Sequence, residues 1–189
     1  MRSLARLLSL LPLLAPALLA PVMLAPVLLA RPAAAQQAPA QPRKLGQFQS
    51  WTAAVHMEAG QKICYAFARA SKAEGVVNRP ANQVLLTVTH RPQGRDAVAL
   101  NAGYAYPRNA EVRVQVGATE FNYYTSGTNA HARDGAASVR AFRGGREVQA
   151  RGPGPNNRGN ATDTFALAGF AQAYDAISRE CPAPAPARR

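Results

Sequence analysis

Between Trp51 and Leu167 the apolar positions recur mostly every second residue, in short runs broken by Gly, Pro, Asn and Asp. That period is the mark of half-buried β-strands, whose side chains point to opposite faces in turn. In "KICYAFARA", Ile63, Tyr65 and Phe67 alternate with Cys64, Ala66 and Ala68, so one face is large and the other small. "QVLLTVTH" and "AVALNAG" read as two more strands, separated by "RPQGRD". "EVRVQVG" sends Val112, Val114 and Val116 to one face, and with a turn at Gly117–Thr119 and the run "EFNYYT" it predicts a hairpin. Tyr123 and Tyr124 are adjacent, so at most one of them belongs to the core.

After "SGTNAHARDG" the pattern loosens. "AASVRAFRGG" predicts a short helix stopped at Gly144, "REVQARG" a strand and "RGPGPNNRGN" a loop, and Phe165 and Leu167 alternate as in a strand. Past Gly169 the period changes to that of a helix, with Phe170, Ala173, Tyr174, Ile177 and Cys181 on one face. Seven or eight short strands closed by one terminal helix predict an all-β chain folded as a β-sandwich, with Trp51 and its large apolar ring anchoring the core.

The N-terminus follows a different pattern. Leu7 to Ala30 is apolar without a charge, Arg2 and Arg6 precede it, and "ARPAAAQ" supplies the small residues a signal peptidase needs, predicting cleavage after Ala35. Pro16, Pro21 and Pro26 disfavour a stable spanning helix, so the membrane is engaged through this leader alone. Residues 36–44 read as a disordered lead-in, 45–181 as one sandwich domain, and 182–189 as a solvated tail.

Composition adds a basic excess. The 189-residue chain carries a net charge of +12. Removing Arg2, Arg6 and Arg31 with the leader leaves about +9, which favours anionic partners such as acidic glycans or lipid head groups. No sequence feature marks specific nucleic-acid binding. Cys64 and Cys181, the two cysteines of an exported chain, predict one structural disulfide; neither a CxxC pair nor flanking basic residues mark a reactive thiol.

Signals for chemistry are sparse. His56, His90 and His131 show no HxH or HExxH spacing, so no metal site is expected and no cofactor is implied. "HARD" at His131–Asp134 lacks the rest of a kinase, "GPGPNNRGN" lacks the Lys-Ser/Thr of a phosphate loop, and GxSxG is absent. What remains are candidate binding residues. His90 and Arg91 stand where Pro92 ends a strand, a place open to a base, a pH-sensitive contact or a loop hydrogen bond. Tyr104 and Tyr106 offer amphipathic contact area, and Arg143, Arg146, Arg151 and Arg158 lie in or beside two glycine-rich turns suited to carboxylate, phosphate or sulfate.

The strings "FQSWTA", "KICYAFA", "VTHRP", "NAGYAYP" and "TDTFALAGFAQAYDAI" before a final cysteine resemble, in order, the invasion-associated locus B family of exported bacterial proteins. "GTNAHARDG" lacks a tryptophan that family members tend to carry there, and Asn160 stands where they tend to have threonine. The resemblance implies an immunoglobulin-like sandwich, a periplasmic, outer-membrane-associated or secreted location, a link to host-cell invasion and no enzymatic activity. The expectation is therefore a non-enzymatic binding protein for an envelope or host component. Two rivals are an arginine-driven binder of anionic glycan or lipopolysaccharide and, third, an enzyme built on His90 and Arg91.

Overall fold

The computed structural model describes residues 41–184. The predicted leader, residues 36–40 of the lead-in and residues 185–189 of the tail lie outside the described residues. Within them the chain forms β1 (Arg43–Phe48), β2 (Trp51–Glu58), β3 (Gln61–Arg69), β4 (Lys72–Glu74), β5 (Leu85–Arg91) and β6 (Gly94–Asn101). There follow β7 (Glu111–Val116), β8 (Thr119–Ser126), β9 (Asn129–His131), α1 (Gly135–Gly144), β10 (Glu147–Pro153), β11 (Asn160–Ala166) and α2 (Phe170–Glu180). Eleven strands pair in the order β1-β2-β3-β5-β6-β9-β8-β7-β10-β11-β4, and every pair is antiparallel.

This ladder folds over itself into a two-layer sandwich. The layer β1-β2-β3-β5-β6 meets the layer β9-β8-β7-β10-β11-β4 across one apolar core to which both contribute. At one edge the short β9 joins them by pairing with both β6 and β8. Between β3 and β4 the chain changes layer within a single step: the Ala70 N–H donates to Val84 O of the first layer at 2.9 Å, and the Ser71 N–H to Thr164 O of the second at 2.8 Å. β4 therefore continues β3 on the opposite sheet.

Three strands beyond the expected seven or eight follow from this closure. β4 and β9 are three residues each, too short to show a period, yet they stitch the layers together. β1 begins at Arg43, within the segment expected to be a lead-in, because β2 offers it an edge to pair with. "RGPGPNNRGN" is narrower than the expected loop: β10 runs through Pro153 and β11 restarts at Asn160, in register from end to end. Residues 182–184 are irregular and exposed.

The face that β3 turns to the central core is the small one, although Ile63 of the large set is buried as well. Cys64, Ala66 and Ala68 are within the core, whereas Tyr65 and Phe67 stack on each other, centroids 6.0 Å apart, on the outer face. Small side chains leave room for α2, which packs against β1, β2 and β3. Phe170 fits between Trp51 (4.8 Å) and Phe142 of α1 (5.4 Å), both edge-on. Gly169 starts the helix at φ 90°, where a Cβ would lie 1.9 Å from Phe48 O, so both conformation and space require glycine. In the second layer Val112, Val114, Val116 and Tyr123 point inward while Tyr124 stays 44% exposed, as the alternation predicts.

Cys64 and Cys181 form the expected disulfide, with Cα atoms 6.0 Å apart, tying the end of α2 to β3 across 117 positions. Replacing both cysteines by alanine should cost about 2–5 kcal/mol in urea unfolding, from the freed chain entropy of so long a loop. Equal stability of the two proteins would show that packing alone holds α2.

Candidate binding surface

His90 is the last residue but one of β5, yet it is covered rather than open. The β5–β6 register passes from Thr89 opposite Ala97 to Arg91 opposite Gly94, so Arg95 and Asp96 bulge opposite His90, with Asp96 at φ 56°. The bulge lets β5 run on to Arg91 before Pro92 and Gln93 turn the chain. His90 thereby faces inward beside Cys64 and is fully buried. This corrects the expectation of an accessible strand-end histidine.

Both ring nitrogens are satisfied. Nδ1 accepts the Asp96 backbone N–H at 3.3 Å, which places the proton on Nε2, and Nε2–H donates to Ser178 Oγ at 3.1 Å. Tyr174 stands edge-on to the ring at 5.2 Å, and its hydroxyl donates to Asp96 Oδ1 at 2.6 Å. Burial, reinforced by the Arg95 guanidinium, pushes the His90 pKa down to about 4. Ser178, His90 and Asp96 thus sit together in the order of a hydrolase triad, but with the wrong polarity. A general base must accept the serine proton through Nε2, whereas here Nε2 is the donor and Ser178 Oγ also accepts from Arg95 at 3.2 Å. The cluster fastens α2 to the β5–β6 hairpin.

Arg91 itself is exposed, 3.5 Å from Glu58. It borders a groove of about 330 Å³ with Lys62, Arg95, Glu180, Pro182 and Pro184. Lys62 is engaged by Glu180 at 3.0 Å, and Arg95 by the Cys181 carbonyl.

Tyr104 and Tyr106 serve the interior more than a surface. Their rings pack edge-on at 5.1 Å, and the Tyr104 hydroxyl donates to Pro153 O at 2.9 Å. Burial pushes the Tyr104 hydroxyl up to about 12 and that of Tyr106 higher still. They wall in an ion pair that the sequence reading missed: Arg79 and Asp163, 2.7 Å apart, with side chains 4% and 3% exposed. The guanidinium also donates to Ala102 O at 3.2 Å and Glu74 O at 3.3 Å, and lies 5.4 Å over the Tyr104 ring. One pair therefore ties the chain after β4 to β11 and to the end of β6. Burial raises the Asp163 pKa while Arg79 holds it back. The signal for Asp163 was present: counting back by two from the core residue Phe165 lands on it.

The four candidate arginines do not form one cradle. Arg143 pairs with Asp175 and lies 4.7 Å over Tyr174, locking α1 to α2. Arg158 is exposed in the β10–β11 turn, its N–H bonded to Pro155 O. Arg151 lies on the exposed outer side of β10, and Arg146, exposed just before that strand, borders a depression with Gln149. Among the described residues no group of three His, Cys, Asp or Glu side chains converges as a metal site, and no helix is long and apolar enough to cross a membrane.

Residues 51–178 match the family model described as Invasion associated locus B (IalB) protein. The fold is similar to the crystal structure of invasion associated protein B from Bartonella henselae, at TM-score 0.52 and 14% identity, covering 71% of this chain and 95% of that one. No curated protein matches the sequence.

The neutral state of His90 makes stability depend on pH with a definite sign. Its folded pKa of about 4 lies below the unfolded value of 6.5, so its contribution is complete above pH 6.5 and is lost as pH falls through 6.5 toward 4. Urea unfolding at pH 7 and pH 4.5 should show wild type losing about 2 kcal/mol more than His90→Gln over that interval. A constant gap between the two proteins would contradict it. Arg79→Met should cost about 3–5 kcal/mol by stranding Asp163, and adding Asp163→Leu should restore much of the loss; an unrelieved double variant would show that the arginine acts through packing alone.

Proposed function

This chain belongs to the invasion associated locus B family, and on that premise we propose that it is an exported, non-enzymatic protein that works by holding an envelope or host-cell component on its surface. The observation that carries this reading is the state of His90. The residue best placed by sequence for catalysis is buried, neutral and bonded at both nitrogens, so it has no lone pair to offer a substrate. The buried ion pair Arg79–Asp163 is likewise enclosed, its side chains 4% and 3% exposed. Chemistry that would need a reactive centre is thus replaced by a rigid, disulfide-fastened scaffold whose accessible features are side chains on sheet faces.

The apolar segment with small residues before Gln36, read as a leader over residues 1–35, supports a periplasmic, outer-membrane-associated or secreted location. The name of the Bartonella protein supports a link to host-cell entry for that molecule, and we extend the same role to this chain. Crosslinking the tagged protein in its own periplasm, then washing through a salt ladder, should retain a defined partner that a reduced, unfolded sample does not. Polyanion contacts should weaken steeply with salt and apolar protein contacts should persist. Recovery no better than that of the unfolded sample, or a turnover abolished by His90→Gln in a protein that stays folded, would overturn the reading.

A further inference from the structure

β7 and β10 lie side by side in the second layer, with Gln115 opposite Gln149 and Arg113 opposite Arg151. All four belong to the outward set of their strands, since the alternate positions Val112, Val114, Val148 and Ala150 fill the core. Three depressions follow these two rungs. One of about 410 Å³ lies between Gln115, Gln149, Arg146, the exposed Glu147 and the backbone of Gly117, Gly144 and Gly145. A second of about 100 Å³ lies between the rungs, and a third of about 260 Å³ continues past Arg113 and Arg151 to Asn122 and Asn160. Successive depressions share lining residues, so they form one trough running the length of β10, about 23 Å at strand rise.

Its chemistry is specific. Amide side chains both donate and accept, as pairs of sugar hydroxyls require, and guanidinium forks hold carboxylate or sulfate through two parallel bonds. Arg113 is neutralised by Glu120 at 3.2 Å and Glu111 by Arg133 at 2.6 Å. Arg146 and Arg151 have no acidic partner among the described residues. No aromatic ring lines the trough, so bases of a single-stranded nucleic acid would have nothing to stack on. Nor does it have the apolar centre on which a protein partner would anchor.

We propose that the outer face of β7 and β10 is the binding trough for an extended acidic polysaccharide, with its carboxylate or sulfate groups on Arg146 and Arg151 and its hydroxyls on Gln115, Gln149, Asn122 and Asn160. This rests on the binding role argued above and names its ligand class.

The test is titration of the purified exported protein with heparin, polygalacturonate, neutral dextran and oligo-dT. Polygalacturonate offers carboxylate alone and heparin carboxylate with sulfate, and binding of either above dextran supports the site. Arg151→Glu and Arg146→Glu should each weaken that binding about tenfold and flatten its salt dependence. Gln115→Ala with Gln149→Ala should weaken it severalfold with the salt slope unchanged. Arg140→Glu, on the exposed side of α1, is the control and should change it less than twofold. Equal loss in Arg140→Glu and Arg151→Glu would replace the trough by diffuse charge. Stronger binding of oligo-dT, or none of either acidic polymer, would overturn the assignment. A crosslinked partner still recovered with Arg151→Glu would keep the binding role while removing the trough from it.

Discussion

The seating of α2 on the inner face of β2 and β3 is the contact on which the rest of the fold depends. α2 packs on the face of β1, β2 and β3, and the second layer reaches Trp51 at the end of β11, where the indole N–H donates to Ala166 O at 3.0 Å. Were that face left open, Trp51 and Ala53 would meet water. The helix closes it, and its far end is held four ways: by the disulfide to Cys64, by Arg95 on the Cys181 carbonyl, and by Arg43 and Lys62 on Glu180. The basic side chains stand where the helix dipole is negative, so their charges reinforce the placement.

This explains which parts of the fold could be read from the chain. Long alternating runs such as "EVRVQV" carry their own evidence, because burial on one face and solvent on the other impose period two. The change of period at Phe170 located α2 and the face that delivers Cys181 for the same reason. β4 and β9 were not legible, since three residues cannot establish a period and their pairing is set by closure of the sheet. Nor could the sequence say which face of "KICYAFA" is buried. Hydrophobicity favours the side with Tyr65 and Phe67, but the space left by a packed helix selects the side with Cys64, Ala66 and Ala68.

The interior polar residues divide along the same line. His90 was visible as an unusual residue two positions before a proline, yet its role turned on a bulge in the neighbouring strand that pattern reading does not reveal. Arg79 lies outside any strand, so only tertiary structure brings it to Asp163. Arg143 seemed to belong with the arginines of the glycine-rich turns until the packing of α1 on α2 gave it Asp175. Arg151 is outward because it follows the alternation of Glu147 and Gln149 along β10, whereas Arg146 precedes the strand and is exposed at the end of the glycine-rich turn that leads into it.

The separation of the two cysteines also imposes an order of assembly. Cys64 leaves the ribosome, and later the export channel, well before its partner, with 117 positions of chain still to follow. Throughout that interval the strand bearing it must remain a reduced thiol or be held by a catalyst of oxidation. The first-layer hairpins can form from neighbouring sequence meanwhile, but the helix that shields them arrives last. The vulnerable species on the way to the native protein is therefore a sheet with an uncovered apolar face and an unpaired thiol at its centre, and the same bond that completes the fold removes both hazards together.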